Sequence, residues 1–306
     1  MPGIFSKLLP VIGSAYGAQI LFASIFVPQH NDKFYDLCGS VGYLSTIGMS
    51  LYFPALKAKY LEGTLASLPS ILSFAPRQVL VSAALGLWTA RLGTYLASRA
   101  IQAGGDSRFD EIKMHPGRFS FYWVAQGELR WPSLKHNSLL RFTATWILLV
   151  GLPVYLCNIA PVGIHPPLGT RDYAAIGLFA GSFIFEVVAD MQKHYWRKAK
   201  DAKQHDEKFL TSGLWGISRH PNYVGEIGLQ TAIWLLSTSS LQAAYYPRGM
   251  VALAMASPLF TYYILRKLSG VPPLERQGDK RFGSDPKWQD YKRTVPVFWP
   301  WGGYQA

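Results

Sequence analysis

The sequence is poor in cysteine, in charge and in the short motifs that mark soluble enzymes. Cys38 and Cys157 are the only cysteines among 306 residues, and both stand in apolar stretches; this excludes a disulfide framework and a thiolate metal site. Asp, Glu, Lys and Arg make up 16% of the chain against 49% hydrophobic residues. No G-x-G-x-x-G, Walker A sequence, H-E-x-x-H or C-x-x-C occurs. A nucleotide, if bound, is therefore held by something other than the familiar soluble loops, and no metal centre is expected. Asn-x-Ser/Thr acceptors are absent too.

Such charge as there is leans basic, with 30 Lys and Arg against 18 Asp and Glu. The basic residues gather in particular loops between apolar blocks. That is the distribution that orients membrane proteins rather than one that covers a nucleic-acid surface, so membrane lipids are the expected surroundings and nucleic acid is not an expected partner. The first block, residues 8–27, is too long for a signal-peptide core and lacks a convincing cleavage site after it, so it reads as a retained helix. Apolar blocks predict seven spans, at about 8–28, 34–56, 77–98, 138–158, 172–193, 223–243 and 249–267. The expected fold is all-α: a polytopic membrane helix bundle with a cytoplasmic C-terminal tail. The basic 194–222 loop and the basic tail are expected on the cytoplasmic side, with the neutral 159–170 loop opposite. Residues 62–73, broken by Pro69, are too short to span. Small residues, Gly13, Ser14 and Gly17 in the first span and Gly39, Ser40 and Gly42 in the second, are expected to let helices approach closely.

Polar residues at helical spacing inside apolar blocks are candidate functional groups, because they are expensive to place there. Trp88, Arg91, Tyr95 and Arg99 share one face of the third span. Residues 104–136 contain DSRFDEIK and FSFYW and read equally as a layer over a site or as a surface loop. In the fifth span Glu186, Asp190 and His194 follow one another at intervals of four, and Arg197 extends the same face. The densest cluster is 213–236, GLWGISRHPNYVGEIGLQTAIWLL, where Arg219, His220, Asn222, Tyr223 and Glu226 lead directly into an apolar helix. Pro221 suits its first turn, and free helix N–H groups beside a guanidinium make a seat for anions. The bland alternatives are a capped membrane helix and a structural salt-bridge network. The tail, with Trp288, Tyr291, Phe298, Trp299 and Trp301, reads either as an aromatic interface anchor or as a flap over the cytoplasmic mouth.

The run SRHPNYVGE, with EVVADMQKHYWRK before it, SPLFTYYILRKLSGVPPLE after it and a terminal YKRTVPVFWP, resembles the DUF1295 branch of the steroid 5-alpha-reductase superfamily. SRFDEIK resembles that branch as well, so the likeness covers roughly the last two thirds of the chain. It implies a membrane reductase, of the endoplasmic reticulum in a eukaryote, that binds NADPH from the cytoplasmic side. Such an enzyme reduces a carbon–carbon double bond of a sterol, steroid or other lipid. Residues 1–136 would then supply N-terminal helices and an interfacial loop, 137–268 a cofactor-binding core and 269–306 a tail over its mouth, all in one integral domain. By this resemblance Asp190 and Arg197 match acidic and basic cofactor contacts, and Asn222 and Glu226 match an Asn-x-x-x-Glu. Arg219, Tyr223, Arg266 and Tyr291 lie in matching motifs, while Glu186, His194, His220 and Glu275 complete the candidate cofactor set. Where steroid 5-alpha-reductases carry Tyr-x-x-Arg, this chain has Trp88 and Arg91; Tyr95 or Tyr52, with Arg91, are the substitute candidates for proton delivery. RHPxYxG followed by a Glu-bearing tail also resembles the isoprenylcysteine and phospholipid methyltransferases, in which Glu275 and Tyr291 would serve S-adenosylmethionine. A non-catalytic sterol-binding protein is the third reading. Neither the lipid nor the oligomeric state is legible.

Overall fold

The computed structural model describes residues 3–102, 104, 113–117, 119–120, 143–300 and 303. Most of the 104–136 layer therefore lies outside the described residues, as does Trp301. Among the described residues the structure is helical, with no strand beyond an isolated bridge residue at Phe298. The chain divides into two compact units, Met1–Asp172 with Ile233–Ser257, and Tyr173–Ala232 with Pro258–Ala306.

The first unit is built on α1 (Ile4–Phe26), α2 (Tyr35–Tyr60), α3 (Pro76–Gln102) and α4 (Thr143–Asn158), with α2 packed on the other three. Acidic Asp36 in the first turn of α2 and Lys57 and Lys59 in its last each complement the helix dipole. Small residues of α2 set its approach to its neighbours. A Cβ on Gly42 would lie 2.6 Å from Gln19 Nε2 of α1 and 2.8 Å from Ile147 Cδ1 of α4, and Gly93 of α3 is closed by the Ser40 side chain. The matching expectation for α1 is corrected: Gly13 and Gly17 face open space, and only Ser14 of that set makes a contact, donating to Ser45 Oγ at 3.2 Å. Trp88 is fully buried and packs edge-on against Tyr43 and Trp146, with ring centroids 5.3 and 6.1 Å away. Along its face burial declines, through half-buried Arg91 and Tyr95 to exposed Arg99.

The unit also holds a buried ion pair that no apolar pattern announces. Arg77 Nη2 lies 2.6 Å from Asp172 Oδ2, with the side chains 1% and 2% exposed, and Arg77 also donates to the carbonyls of Pro166 and Pro167. The neutral proline-rich loop is thus fastened by a guanidinium at the start of α3. Beside it, Gln78 donates to the carbonyls of Asn158 and Ala160, and Asn158 donates to Ser50 and Ser82.

The second unit comprises most of α5 (Thr170–Asp201), the first half of α6 (Pro221–Leu241) and the chain from Pro258 onward. α5 carries Asp172 in its first turn and Lys198 and Lys200 in its last, again matched to the dipole. The α5–α6 crossing uses small residues: a Cβ on Gly225 would sit 2.6 Å from Glu186 Cβ and 2.9 Å from Ser182 O, and Gly228 meets the Ser182 side chain.

Helices stand at all seven predicted spans, but only three described helices are long and apolar enough to cross a membrane: Ile4–Phe26, Pro76–Gln102 and Thr170–Asp201. The others fall short for distinct reasons. α2 is diluted by Gly, Ser, Thr and Tyr within its uncharged stretch 37–56, α4 has 16 described residues, and α6 contains Asn222, Glu226, Gln230 and the run Ser237–Ser240. The expected seventh span is not one helix. It breaks into α7 (Met250–Ala254), α8 (Ala256–Tyr263) and a π-helical turn at Ile264–Leu268. The tail forms α9 (Val271–Phe282) and α10 (Pro286–Thr294). Asp285 caps α10 by accepting from Lys287 N at 3.0 Å, ahead of Pro286 at the first position.

Candidate functional site

The turn before α6 is assembled by its own chain and by the tail. Gly213 adopts φ +61°, a conformation glycine takes without steric cost, and a Cβ there would collide with Gln192. Gln192 of α5 accepts from Leu214 N at 3.0 Å, and Trp215 Nε1 donates to Ala189 O of α5 at 3.0 Å. Lys193 lies over the Trp215 ring, 4.6 Å from its centroid. From the other side the returning tail binds the same turn: Arg219 N donates to Pro296 O at 3.0 Å and Ser218 Oγ to Val297 O at 3.1 Å. Tyr291 of α10 donates to Trp215 O at 2.7 Å.

Glu275 of α9 is the electrostatic centre of this arrangement. Its Oε1 lies 3.2 Å from Arg219 Nε and 3.0 Å from His220 Nε2, and Lys292 Nζ is 3.6 Å from its other oxygen. Arg219 also donates to Lys292 O at 2.7 Å, and Lys292 pairs with Asp279 at 2.8 Å. Burial would raise the Glu275 carboxyl, but the His220 hydrogen bond and the Arg219 charge outweigh it and hold the group below its ordinary value. Burial is the dominant influence on His220 and lowers it below its ordinary 6.5 despite the carboxylate. The consistent state is neutral His220 donating Nε2–H to ionised Glu275. His220 also stacks on Tyr223, with centroids 5.5 Å apart and rings 9° from parallel.

Both shifts make the docking of the tail sensitive to acid. A depressed folded-state value means that the unfolded form binds more protons in the window below the ordinary value. The contribution of His220 is therefore complete above pH 6.5 and falls below it, and that of Glu275 follows below 4.5. Limited proteolysis within α9 and α10 is expected to accelerate as pH falls from neutrality toward about 4. Cleavage at one rate across that range would show that the pair does not hold the tail.

The second unit thus gathers Arg219, His220, Glu275 and Tyr291 into one network. Glu186 and Asp190, 3% and 8% exposed, are buried on α5, whereas His194 and Arg197 further along the same helix are exposed. Asn222, Tyr223 and Glu226 are half-buried on α6. The π turn buries Arg266, an irregularity that often marks functional positions in helices. Tyr95, Tyr52 and Arg91 belong to the first unit: the Arg91 guanidinium lies 6.0 Å from the centroid of the Tyr95 ring, and Tyr52 packs edge-on to Phe74 at 5.0 Å. The aromatic tail residues are not a shared interface belt. Trp288, Tyr291 and Phe298 are buried in protein, and only Trp299 of the described set is exposed. A surface groove of about 850 Å³, flanked by Phe209, Thr211, Asp285 and Thr294, shares only Tyr291 with the network.

Lys292, Asp279 and Gln230 escaped the sequence reading. Gln230 had a usable signal, since it continues the Asn222–Glu226 spacing by one more turn.

With this geometry in place, the sequence profile of the family described as "Protein of unknown function (DUF1295)" matches residues 63–295. The chain belongs to the DUF1295 family. The match takes in α3 through α10, and so every residue of the network above. An uncharacterized protein of Schizosaccharomyces pombe is 27% identical over an alignment 183 residues long that covers 53% of this chain and 48% of that protein. The match therefore spans about half the relative's length. No solved structure matches this DUF1295 chain.

Proposed function

We propose that this DUF1295 protein is a membrane-embedded reductase that uses NADPH to saturate a carbon–carbon double bond conjugated to a carbonyl in a sterol, steroid or other lipid. In this reading the helices at all seven predicted positions belong to the bilayer bundle, with the basic 194–222 loop and the tail facing the cytoplasm. The observation that carries the reading is the polar strip of α6, which begins at the Arg219–His220 turn and continues through Asn222 and Glu226 to buried Gln230. It suits a ligand with an anionic end and a neutral polar end.

When bound, the dinucleotide supplies a hydride to the β-carbon of the enone, and a proton added to the α-carbon completes the reduction. The residues that would hold it are Asn222 and Glu226 along the strip, and Arg197, His194 and Arg266 toward the phosphates, where a planar guanidinium meets an oxyanion bidentately. Arg219 orients the turn and holds the tail, because Glu275 and the Lys292 carbonyl already engage it. Glu275 is engaged by His220 and Arg219, which bears equally on the methyltransferase alternative, so the two cofactors are separated by binding.

Arg197→Ala tests the assignment. Loss of an exposed guanidinium that meets the 2′-phosphate should weaken NADPH binding about tenfold and leave NADH binding nearly unchanged. Equal weakening of the two would remove Arg197 from that phosphate.

A further inference from the structure

Gln230 is 0% exposed, and both atoms of its carboxamide, Oε1 and Nε2, lack a hydrogen-bond partner. Buried amides are ordinarily paired, because an unmet donor or acceptor keeps its full desolvation cost. An apolar side chain would fill the same place in α6 at no such cost, and its neighbours Leu229, Ala232 and Ile233 are buried and apolar. Gln230 follows Glu226 by four residues and Asn222 by eight, which puts it one and two turns further along the same strip, about 6 and 12 Å deeper. The strip thus grades from cationic Arg219, through ionisable Glu226, to a neutral amide at its deep end.

The two orphaned atoms specify their complement. A glutamine amide cannot neutralise a buried ion, so a charged group is disfavoured at this depth. A ketone oxygen would satisfy Nε2 and leave Oε1 unmet. A carboxamide offers one acceptor and one donor side by side and satisfies both. We propose that Gln230 is the deep anchor of the ligand site and pairs with a carboxamide; on the reductase reading above, on which this rests, that group is the nicotinamide amide. Gln230 is then a positioning residue, fixing the reactive ring by its substituent.

The test uses the full chain in detergent with NADP⁺ and its 3-acetylpyridine analogue, in which a methyl group replaces the amide NH₂. The wild type is expected to bind NADP⁺ about tenfold more tightly than the analogue, the worth of the lost donor and its partner. Gln230→Met should bind the two equally, with its NADP⁺ affinity lowered about tenfold. Its ligand-free form should melt at or above the wild-type temperature, because a buried amide without partners has been replaced by an apolar chain. A variant that keeps wild-type discrimination, or that melts several degrees lower or fails to fold, overturns the inference and leaves the reductase reading standing. A wild-type chain that binds neither nucleotide overturns both.

Discussion

Replacing Arg77 by Met is expected to be among the most destabilising single changes in the first unit. The guanidinium and Asp172 are 1% and 2% exposed and lie 2.6 Å apart, so removing one leaves an uncompensated buried carboxylate. Breaking a buried pair in this way costs roughly 3–5 kcal/mol. In a chain of this size that corresponds to a fall of about 10 °C in melting temperature. Adding Asp172→Leu should recover only part of the loss, since Arg77 also donates to the carbonyls of Pro166 and Pro167, which the double variant leaves unmet. Detergent-solubilised protein followed by thermal unfolding distinguishes the cases. A single variant within a degree or two of wild type would mean that water reaches the pair.

The second large effect is expected at Glu275. Glu275→Ala removes the carboxylate that pairs with Arg219 and hydrogen-bonds His220, and it strands a guanidinium that is 1% exposed. The cost is again on the order of 3–5 kcal/mol, but it should appear locally, as release of α9 and α10, because the network joins the tail to the turn before α6. Proteolysis of the tail should become rapid at neutral pH and lose most of its pH dependence. NADPH binding should fall with it, since Asn222 and Glu226 begin the helix that this turn positions. Glu275→Gln keeps a hydrogen bond to His220 and is expected to lie between the two. If the alanine variant keeps a protease-resistant tail, Val271, Val297 and Phe298, which are buried together, hold the tail without the ion pair.

These two networks show where the sequence was legible and where it was not. Helix positions were, because apolar blocks bounded by proline, glycine and charge report one-dimensional properties, and α5 and α6 lie where those blocks put them. The RHPNYVGE turn stood out for a similar reason: so many ionisable groups beside an apolar helix are costly without a purpose. Arg77 and Asp172 stand at the first residues of two apolar blocks, and their pairing joins positions 95 residues apart and leaves no periodic trace. Trp88 was read through the tyrosine it replaces, whereas its surroundings, Tyr43 and Trp146, make it a packing residue. The break at Met255 and the π turn around Arg266 were hidden because both sides of the break are equally apolar. Gln230 was missed because an uncharged polar residue in an apolar helix attracts less notice than a charge, although burial makes an unpartnered amide costly as well.

Equilibrium titration of the purified chain with NADPH and with S-adenosylmethionine, each followed by protein fluorescence, tests the central claim most directly. Saturable binding of NADPH, weaker binding of NADH and no binding of S-adenosylmethionine are expected. Binding of S-adenosylmethionine without NADPH would reassign the α6 strip to methyl transfer, and a chain that binds neither would contradict an enzymatic role for it.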